Sequence, residues 1–273
     1  MHLHKFLFTS ALTCTSRAVQ VRDRALGRVP RTRPECETVL ATQHSIPSGK
    51  NLLDAVYVEP ATGAARSAIL ICHGIGEVVA QWFPIQRILA ENGIASLVFD
   101  YSGYGRSTGF IDWTQCEQDA VRAFGLIERL SPLVPISLLG FSLGTGVAPA
   151  ILDRVSADRL VLCAAYSSFR KAARAVCVPG FLTNLVPPIW SAEETLRDCE
   201  IPILIVQGDR DRLFGVQMGR DLLACCDGRA DLLVLPVRAH NEPFYNPQPH
   251  YWGPIIRWLL KEASRTVARA PQS

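Results

Sequence analysis

The stretch from Ile136 to Val147 constrains the fold of this chain more than any other part of it. Its apolar start, Ile136 to Leu139, is typical of a buried strand. The motif Gly140-Phe141-Ser142-Leu143-Gly144 follows at once, and small residues then open a helix. A G-x-S-x-G motif between a strand and a helix is typical of a tight turn that holds its serine clear of the backbone. We therefore predict that Ser142 is a nucleophile; the alternative is a buried helix N-cap.

The motif alone is weak evidence, because Gly105-Arg106-Ser107-Thr108-Gly109 matches it too. The apolar run before Ser107 ends near Asp100, and a glycine-rich stretch intervenes. We therefore place Ser107 in a loop. Ser142, which follows its strand without a break, is the better candidate.

Strands and helices alternate along most of the chain, which predicts a mostly parallel sheet with helices on both faces. Two strands near 37–45 and 52–58 are separated by a Pro-Ser-Gly turn, which favours an antiparallel hairpin. We predict one α/β domain over 35–267, with about eight strands and a short cap insertion at 166–200. The other predicted strands are 68–72, 95–100, 136–141, 159–165, 202–207 and 231–236, and the predicted helices are 80–92, 112–130, Ser142 to 154, 215–226 and 250–266.

The charge is unevenly distributed. The whole chain of 273 residues carries a net charge of +3, but residues 1–33 hold seven Lys or Arg and one Asp. The body is therefore slightly acidic, which argues against a nucleic-acid partner. Residues 1–34 form a basic extension that we expect to be disordered, or a signal or transit peptide, or the product of an over-long start. This segment could also make a weak peripheral membrane contact.

Composition limits the remaining classes. No apolar run reaches the length of a bilayer span, so we expect no transmembrane segment. The nine cysteines are scattered without C-x-x-C spacing, which favours a reduced, cytoplasmic compartment; targeting through the N-terminal segment is the alternative. No His/Cys cluster has metal-ligand spacing, and we expect neither metal nor cofactor.

A serine nucleophile needs a histidine base that is oriented by a carboxylate. Only His240 and His250 follow Ser142, and His240 comes four residues after an apolar strand. We predict His240 as the base and expect His250 to be a packing or surface residue. Strand 202–207 runs into Gly208 and two aspartates, of which Asp211 has room to reach the serine. Asp211 is therefore the predicted acid, and Asp209 a turn or salt-bridge residue.

The acyl-transfer intermediate also needs hydrogen-bond donors for its oxyanion. The backbone N–H of Leu143 is one candidate. The second should come from the loop after strand 68–72, where His73-Gly74 permits a close backbone approach, and we predict the N–H of Ile75. The alternative is that His73 to Gly76 is only a tight strand-to-helix turn.

With these residues identified, the chain resembles the α/β-hydrolase superfamily over roughly residues 40–265. The order Ser142, Asp211, His240 is the order of that superfamily. His73-Gly74 is similar to its oxyanion H-G element, residues 99–109 to its F-D-Y-x-G-x-G-x-S segment, and Gly208-x-x-Asp211 to its acid motif. The short insertion looks most like those of the serine-aminopeptidase and monoglyceride-lipase-like groups. Arg238 departs from the family pattern, because a glycine often precedes the histidine loop, and so does Ile75-Gly76-Glu77.

This resemblance implies a cofactor-free serine hydrolase that cleaves small-molecule carboxylic esters or thioesters. An aminopeptidase or amidase is the alternative, with Glu77 or Glu242 as the acid that binds the substrate amine, and a non-catalytic scaffold is less favoured. The apolar segment 178–190 would line an acyl pocket or pack as a cap helix. A cluster of three cations in the insertion would meet an anionic group or form a solvated helix face; it comprises Arg170, Lys171 and Arg174. The sequence does not indicate the oligomeric state.

Overall fold

The computed structural model describes residues 18, 37–176, 183, 186, 189–245 and 247–261. These residues form one eight-stranded sheet in the order β1-β2-β4-β3-β5-β6-β7-β8. The basic extension of residues 1–34 lies outside the described residues, except for Ala18. The strands are β1 Val39–Ser48, β2 Asn51–Pro60, β3 Ser67–Cys72, β4 Ile94–Phe99, β5 Ile136–Phe141, β6 Arg159–Cys163, β7 Ile203–Gly208 and β8 Ala230–Leu235.

The predicted hairpin and the mostly parallel sheet are both confirmed. Strand β1 pairs antiparallel with β2, and β2 pairs antiparallel with β4. All remaining pairs, from β4 through β3 to β8, are parallel. The carboxyl ends of six strands therefore lie along one edge, here called the carboxyl edge. The β1–β2 turn reaches the same edge, because Ala55 pairs with Phe99 at the end of β4.

Helices cover both faces of the sheet, as the alternating pattern predicts. On one face, α1 and α8 pack against a cluster that includes Ile69, Val98 and Val161. On the other face, α2 and the elements that follow β5 and β6 pack against the alternate strand residues, such as Leu70 and Leu138. The helices are α1 Val79–Glu91, α2 Trp113–Leu130, α3 Gly144–Val147, α4 Phe169–Ala175, α5 Ala192–Thr195, α6 Val216–Cys225, α7 Glu242–Tyr245 and α8 Pro249–Leu259.

The helix after Ser142 is much shorter than the sequence pattern suggests. Helix α3 ends at Val147, and a 3₁₀ turn, Pro149–Ile151, replaces the predicted helix to residue 154. Pro149 is the physical reason, because proline has no N–H to donate to the preceding turn and its ring crowds that turn. The predicted strand 159–165 also ends early, at Cys163, where Ala164 takes a positive φ of 51°.

The described part of the insertion packs onto the helix that follows Ser142. A Cβ at Gly146 would overlap the Tyr166 hydroxyl and would lie 2.7 Å from Cβ of Trp190. The Trp190 indole N–H donates to Glu117 of α2 at 3.0 Å. Of the apolar segment 178–190, only residues 183, 186, 189 and 190 are described, so its suggested role in an acyl pocket falls largely outside the described residues.

Candidate active site

The turn at Ser142 is strained in the way that its sequence predicts. Ser142 has a φ of 50°, which costs a residue with a side chain on the order of 1 kcal/mol. The two glycines of the motif are sterically required. A Cβ at Gly140 would overlap the carbonyl of Gly144, and a Cβ at Gly144 would overlap the carbonyl of Cys72. The turn therefore packs directly against the end of β3.

The structure brings Ser142, His240 and Asp211 into one chain of hydrogen bonds. The Nε2 atom of His240 lies 2.9 Å from Oγ of Ser142. Its Nδ1 atom lies 2.7 Å from Oδ2 of Asp211. Because an ionised carboxylate accepts only, this arrangement places the proton of neutral His240 on Nδ1 and leaves Nε2 to accept from the serine hydroxyl. The three residues come from connections after β5, β7 and β8, which meet at the carboxyl edge.

Asp211 is held by the loop that carries it. Its Oδ1 atom accepts the backbone N–H groups of Leu213 and Phe214, each at 2.8 Å, and its side chain is fully buried. Oδ2 is thereby left for the imidazole. Asp209, by contrast, is exposed and accepts the backbone N–H of Arg238 at 3.3 Å. That contact ties the loop after β7 to the loop after β8. Asp209 lies in a turn, which is the first of its two predicted roles.

His240 lies against aromatic rings, which limit its orientation. The ring of Phe214 meets it edge-on with centroids 5.1 Å apart, and the ring of Phe141 lies 5.9 Å away. The side chain of His240 is 14% exposed, so the imidazole is sheltered without being closed off from solvent. His250 is exposed and bonds Arg238 at 2.9 Å, which agrees with the surface role expected from the sequence.

The predicted oxyanion donors lie on the connections after two neighbouring strands, Ile75 after β3 and Leu143 directly after Ser142. Neither backbone N–H donates a hydrogen bond to another group in the described part of the chain, so both are available to a ligand. The loop of Ile75 is braced by Glu77, whose Oε2 atom accepts the N–H of Gly74 at 2.7 Å and the indole N–H of Trp82 at 3.2 Å. Glu77 is buried. It therefore supports the loop and is not an exposed acid for a substrate amine.

Two buried titratable side chains, His73 and Asp100, lie in contact under the same loop. The Nδ1 atom of His73 bonds the carbonyl of Gly74 at 2.9 Å, and its Nε2 atom faces Asp100. Burial lowers the pKa of His73 to about 4. Burial also raises the pKa of Asp100 to about 7, although hydrogen bonds from the N–H groups of Val79 and Arg106 oppose this rise. The rings of Tyr101 and Tyr104 enclose the imidazole of His73.

Two thiols near the serine are inert. Burial raises the pKa of Cys72 and that of Cys163 to about 12 in each case. Since the thiolate is the reactive form of cysteine, neither thiol is a candidate nucleophile at neutral pH. Among the described residues, no group of three or more His, Cys, Asp or Glu side chains is placed to hold a metal ion.

Neither of two cavities near the ends of the sheet is a substrate pocket at Ser142. A space of about 20 Å³ lies behind His240, lined in part by Phe141, Phe244 and Trp252, and it is too small for a substrate. A groove of about 530 Å³ runs past Pro149 and Cys199 at the opposite edge of the sheet, away from the serine.

The sequence predicts Ser142, Asp211 and His240 but not the residues that hold the loops around them in place. The sequence suggests Glu77 as an amine-binding acid, but its position three residues after Gly74 is also the spacing at which a Glu reaches back to a backbone N–H. The contact of His73 with Asp100 had no sequence signal, because it depends on β3 and β4 being neighbours. The sequence suggests that Lys171 either meets an anionic group or lies on a solvated helix face, whereas in the structure it pairs with Glu193 at 2.6 Å and Asp221 at 3.1 Å.

Comparison with known proteins finds a matching family model and similar chains. A family model described as serine aminopeptidase, S33, matches residues 63–192. Lysophosphatidylserine lipase ABHD12 of Macaca fascicularis is 26% identical, and the match covers 84% of this chain. This chain spans 65% of the length of that relative.

Solved structures share the fold. An esterase of Pyrococcus furiosus superposes with a TM-score of 0.65 at 17% identity, covering 85% of this chain and 96% of that one. A soluble variant of monoglyceride lipase from Saccharomyces cerevisiae superposes with a TM-score of 0.66 at 15% identity and the same two coverages. The order of the eight strands, the strained turn at Ser142 and these matches lead to one conclusion: the chain has the α/β-hydrolase fold.

Proposed function

We propose that this protein is a serine hydrolase that cleaves carboxylic esters through an acyl-enzyme on Ser142. The observation that carries the proposal is the unbroken hydrogen-bond chain from Asp211 through His240 to the hydroxyl of Ser142. The two distances support the donor and acceptor roles that the reaction requires. The names of the lipase and esterase relatives support the same class of reaction.

The proposed reaction proceeds in two halves. Oγ of Ser142 attacks the ester carbonyl carbon while Nε2 of His240 takes the hydroxyl proton. The negative charge that forms on the carbonyl oxygen is met by the N–H groups of Ile75 and Leu143. The tetrahedral intermediate then collapses, the ester C–O bond breaks, and His240 returns the proton to the leaving alcohol.

Water completes the cycle. His240 takes a proton from a water molecule, the resulting hydroxide attacks the acyl carbon, and the bond to Oγ of Ser142 breaks as the serine recovers its proton. Asp211 keeps Nδ1 of the imidazole protonated throughout and stabilises the imidazolium that forms twice in each cycle. Thioesters would follow the same path with a thiol as leaving group.

The aminopeptidase alternative finds less support in the geometry. It needs an acid free to bind the substrate amine, and both candidates are engaged. Glu77 is buried and bonds Gly74 and Trp82. Glu242 pairs with Arg238 at 3.1 Å and accepts the N–H of Ala239.

Labelling with a fluorophosphonate probe tests the proposal. The native chain should be labelled, and Ser142→Ala should not be. Ser107→Ala is the matched control, because Ser107 lies in the second G-x-S-x-G motif and bonds the carbonyl of Asp100 instead. Equal labelling of native protein and Ser142→Ala, or loss of labelling only in the control, would refute the assignment.

The substrate class needs a separate comparison. We expect p-nitrophenyl esters of graded chain length to be hydrolysed faster than amino-acid anilides, with acyl-CoA thioesters as the intermediate case. Lysophosphatidylserine belongs in the same panel because a relative is named for its hydrolysis. Preference for anilides over all esters would instead favour the aminopeptidase reading.

A further inference from the structure

The carboxyl edge of the sheet, which holds Ser142, is strongly cationic. Its connections comprise residues 49–50, 73–78, 100–112, 142–143, 164–176 and 209–215 together with the described part of 236–248. Within these described segments, six Lys or Arg residues are exposed but only one acid, Asp209. The six exposed cations are Lys50, Arg106, Arg170, Arg174, Arg210 and Arg212.

The opposite edge has the reverse charge. In the described connections that precede the parallel strands, three Arg residues are exposed against five acids. The folded body is therefore electrically polarised, with its positive end at the proposed active site. The five exposed acids are Asp153, Asp158, Asp198, Glu200 and Asp227.

Exposed apolar side chains accompany the cations. Among the described residues, seven large hydrophobic side chains are exposed, and four of them lie on the carboxyl edge. Phe110 is 82% exposed, and Leu52 is 50% exposed. The other two are Val176 and Val237. Apolar side chains and cations exposed on the same face are the combination found on surfaces that lie on a membrane.

Phe110 and Leu52 sit on a rigid platform. The backbone N–H of Thr108 donates to the carbonyl of Leu52 at 2.9 Å, and the hydroxyl of Thr108 accepts the N–H of Leu52 at 2.8 Å. Gly103 and Phe110 are in close contact, since a Cβ at Gly103 would lie 2.8 Å from the backbone carbon of Phe110. The loop of Arg106 and Phe110 is thus fastened to the start of β2.

The platform adjoins the proposed site. Tyr101, in the same loop, donates its hydroxyl to the carbonyl of His73 at 3.2 Å, directly before the oxyanion loop. The platform and the proposed oxyanion loop are therefore neighbours at the carboxyl edge.

From these observations we infer that the carboxyl edge is a docking surface for an anionic lipid bilayer. Lys50 and Arg106 would lie among the headgroups while Phe110 and Leu52 enter the interface. The apolar side chains argue for a bilayer, because a free anion in solution would gain nothing from them. Because the folded body has a cationic edge and an acidic edge, an anionic membrane would attract the edge that holds Ser142 and repel the acidic one.

The test compares two triple variants of equal charge in the full chain carrying Ser142→Ala, which cannot hydrolyse lipid by the proposed route. The first variant, Lys50→Glu, Arg106→Glu and Phe110→Ser, alters the carboxyl edge. The matched control alters two cations and one exposed apolar residue near the opposite edge. The apolar residue is Leu133, which is 94% exposed. The control substitutions are Arg129→Glu, Arg197→Glu and Leu133→Ser.

Co-sedimentation with phosphatidylcholine vesicles, with and without phosphatidylserine, gives the readout. We expect the parent to bind only the vesicles that contain phosphatidylserine. The first variant should bind at least about tenfold more weakly, since each lost cation near an anionic surface weakens binding several-fold. The control should bind like the parent.

Three results would overturn the inference: no binding by the parent, equal weakening in both variants, or parent-like binding in both. The last would assign binding to the basic extension of residues 1–34. Circular dichroism and thermal unfolding establish that both variants fold. Since binding is measured without Ser142, it succeeds or fails independently of the proposed hydrolysis.

Discussion

The Nε2 atom of His73 lies 3.6 Å from the Oδ1 atom of Asp100, and both side chains are buried beneath the proposed oxyanion loop. Burial disfavours the charged form of each group. It lowers the pKa of His73 to about 4 and raises that of Asp100 to about 7. Between these pH values the folded pair is neutral, with its proton on Asp100. In the unfolded chain, between about pH 3.8 and 6.5, the same two side chains also hold one titratable proton between them, but this proton is on His73.

Because of this proton exchange, we predict that the two single substitutions give stabilities that depend on pH in opposite directions. In Asp100→Asn only His73 remains, and its pKa is lower in the folded state, so stability should fall as the pH drops from 6.5 to about 4. In His73→Gln only Asp100 remains, and its raised folded pKa means that stability should fall as the pH rises from 3.8 to about 7. Each change is on the order of 3–4 kcal/mol.

Urea unfolding from pH 4 to 8 measures both effects relative to the native chain and to the double variant, which serves as the control. The native chain and the double variant should share nearly the same pH profile over pH 4.5–6.5. Single variants whose profiles parallel that of the native chain would show that the pair does not exchange its proton in this way.

Asp211 and Asp209 offer a matched test of the proposed acid, because they lie two residues apart after the same strand. In Asp211→Asn the amide cannot hold His240 in the required tautomer, so kcat should fall roughly 10³–10⁴-fold. Asp209→Asn should retain kcat within about threefold, since an exposed loop contact contributes little. Steady-state hydrolysis of a short p-nitrophenyl ester gives the comparison. Similar losses in the two variants would remove the distinction between these aspartates.

Much of the fold was predictable because its signals are local. The apolar runs predicted as parallel strands did become strands, since the central parallel strands are buried on both faces. The convergence of Ser142, Asp211 and His240 followed from their positions after strands of one parallel sheet. The strained φ of Ser142 likewise agrees with its motif.

The parts that escaped prediction depend on which elements are neighbours in space. Lys171 reaches Asp221 only because α4 packs near α6, a contact between residues fifty positions apart. Asp100 meets His73 only because β4 adjoins β3. Pro149 did carry a local signal for the early end of α3, but the small apolar residues around it outweighed that signal in the pattern.

Glu77 is predicted to be a positioning residue for the oxyanion loop. In Glu77→Ala the N–H groups of Gly74 and Trp82 lose their acceptor, so the loop should relax and kcat should fall about 10–100-fold with little change in KM. Glu77→Gln keeps one oxygen for both donors and should recover most of the activity. Separate kcat and KM values, measured beside thermal unfolding, decide the point. A loss of stability in Glu77→Ala without a loss of kcat would assign Glu77 a purely structural role.

The last prediction concerns the glycine that lets the serine turn approach β3. In Gly144→Ala the new Cβ would overlap the carbonyl of Cys72, which is backbone and cannot rotate away. We expect a loss of about 3 kcal/mol or more in the free energy of unfolding, together with displacement of Ser142 and loss of probe labelling. Gly125→Ala is the matched control, because Gly125 lies inside helix α2 and a Cβ there meets only Arg129 at 3.8 Å. That variant should gain about 0.5–1 kcal/mol from the higher helix propensity of alanine and keep full labelling. Chemical unfolding measures both, and equal stability of the two variants would contradict the close packing described for this turn.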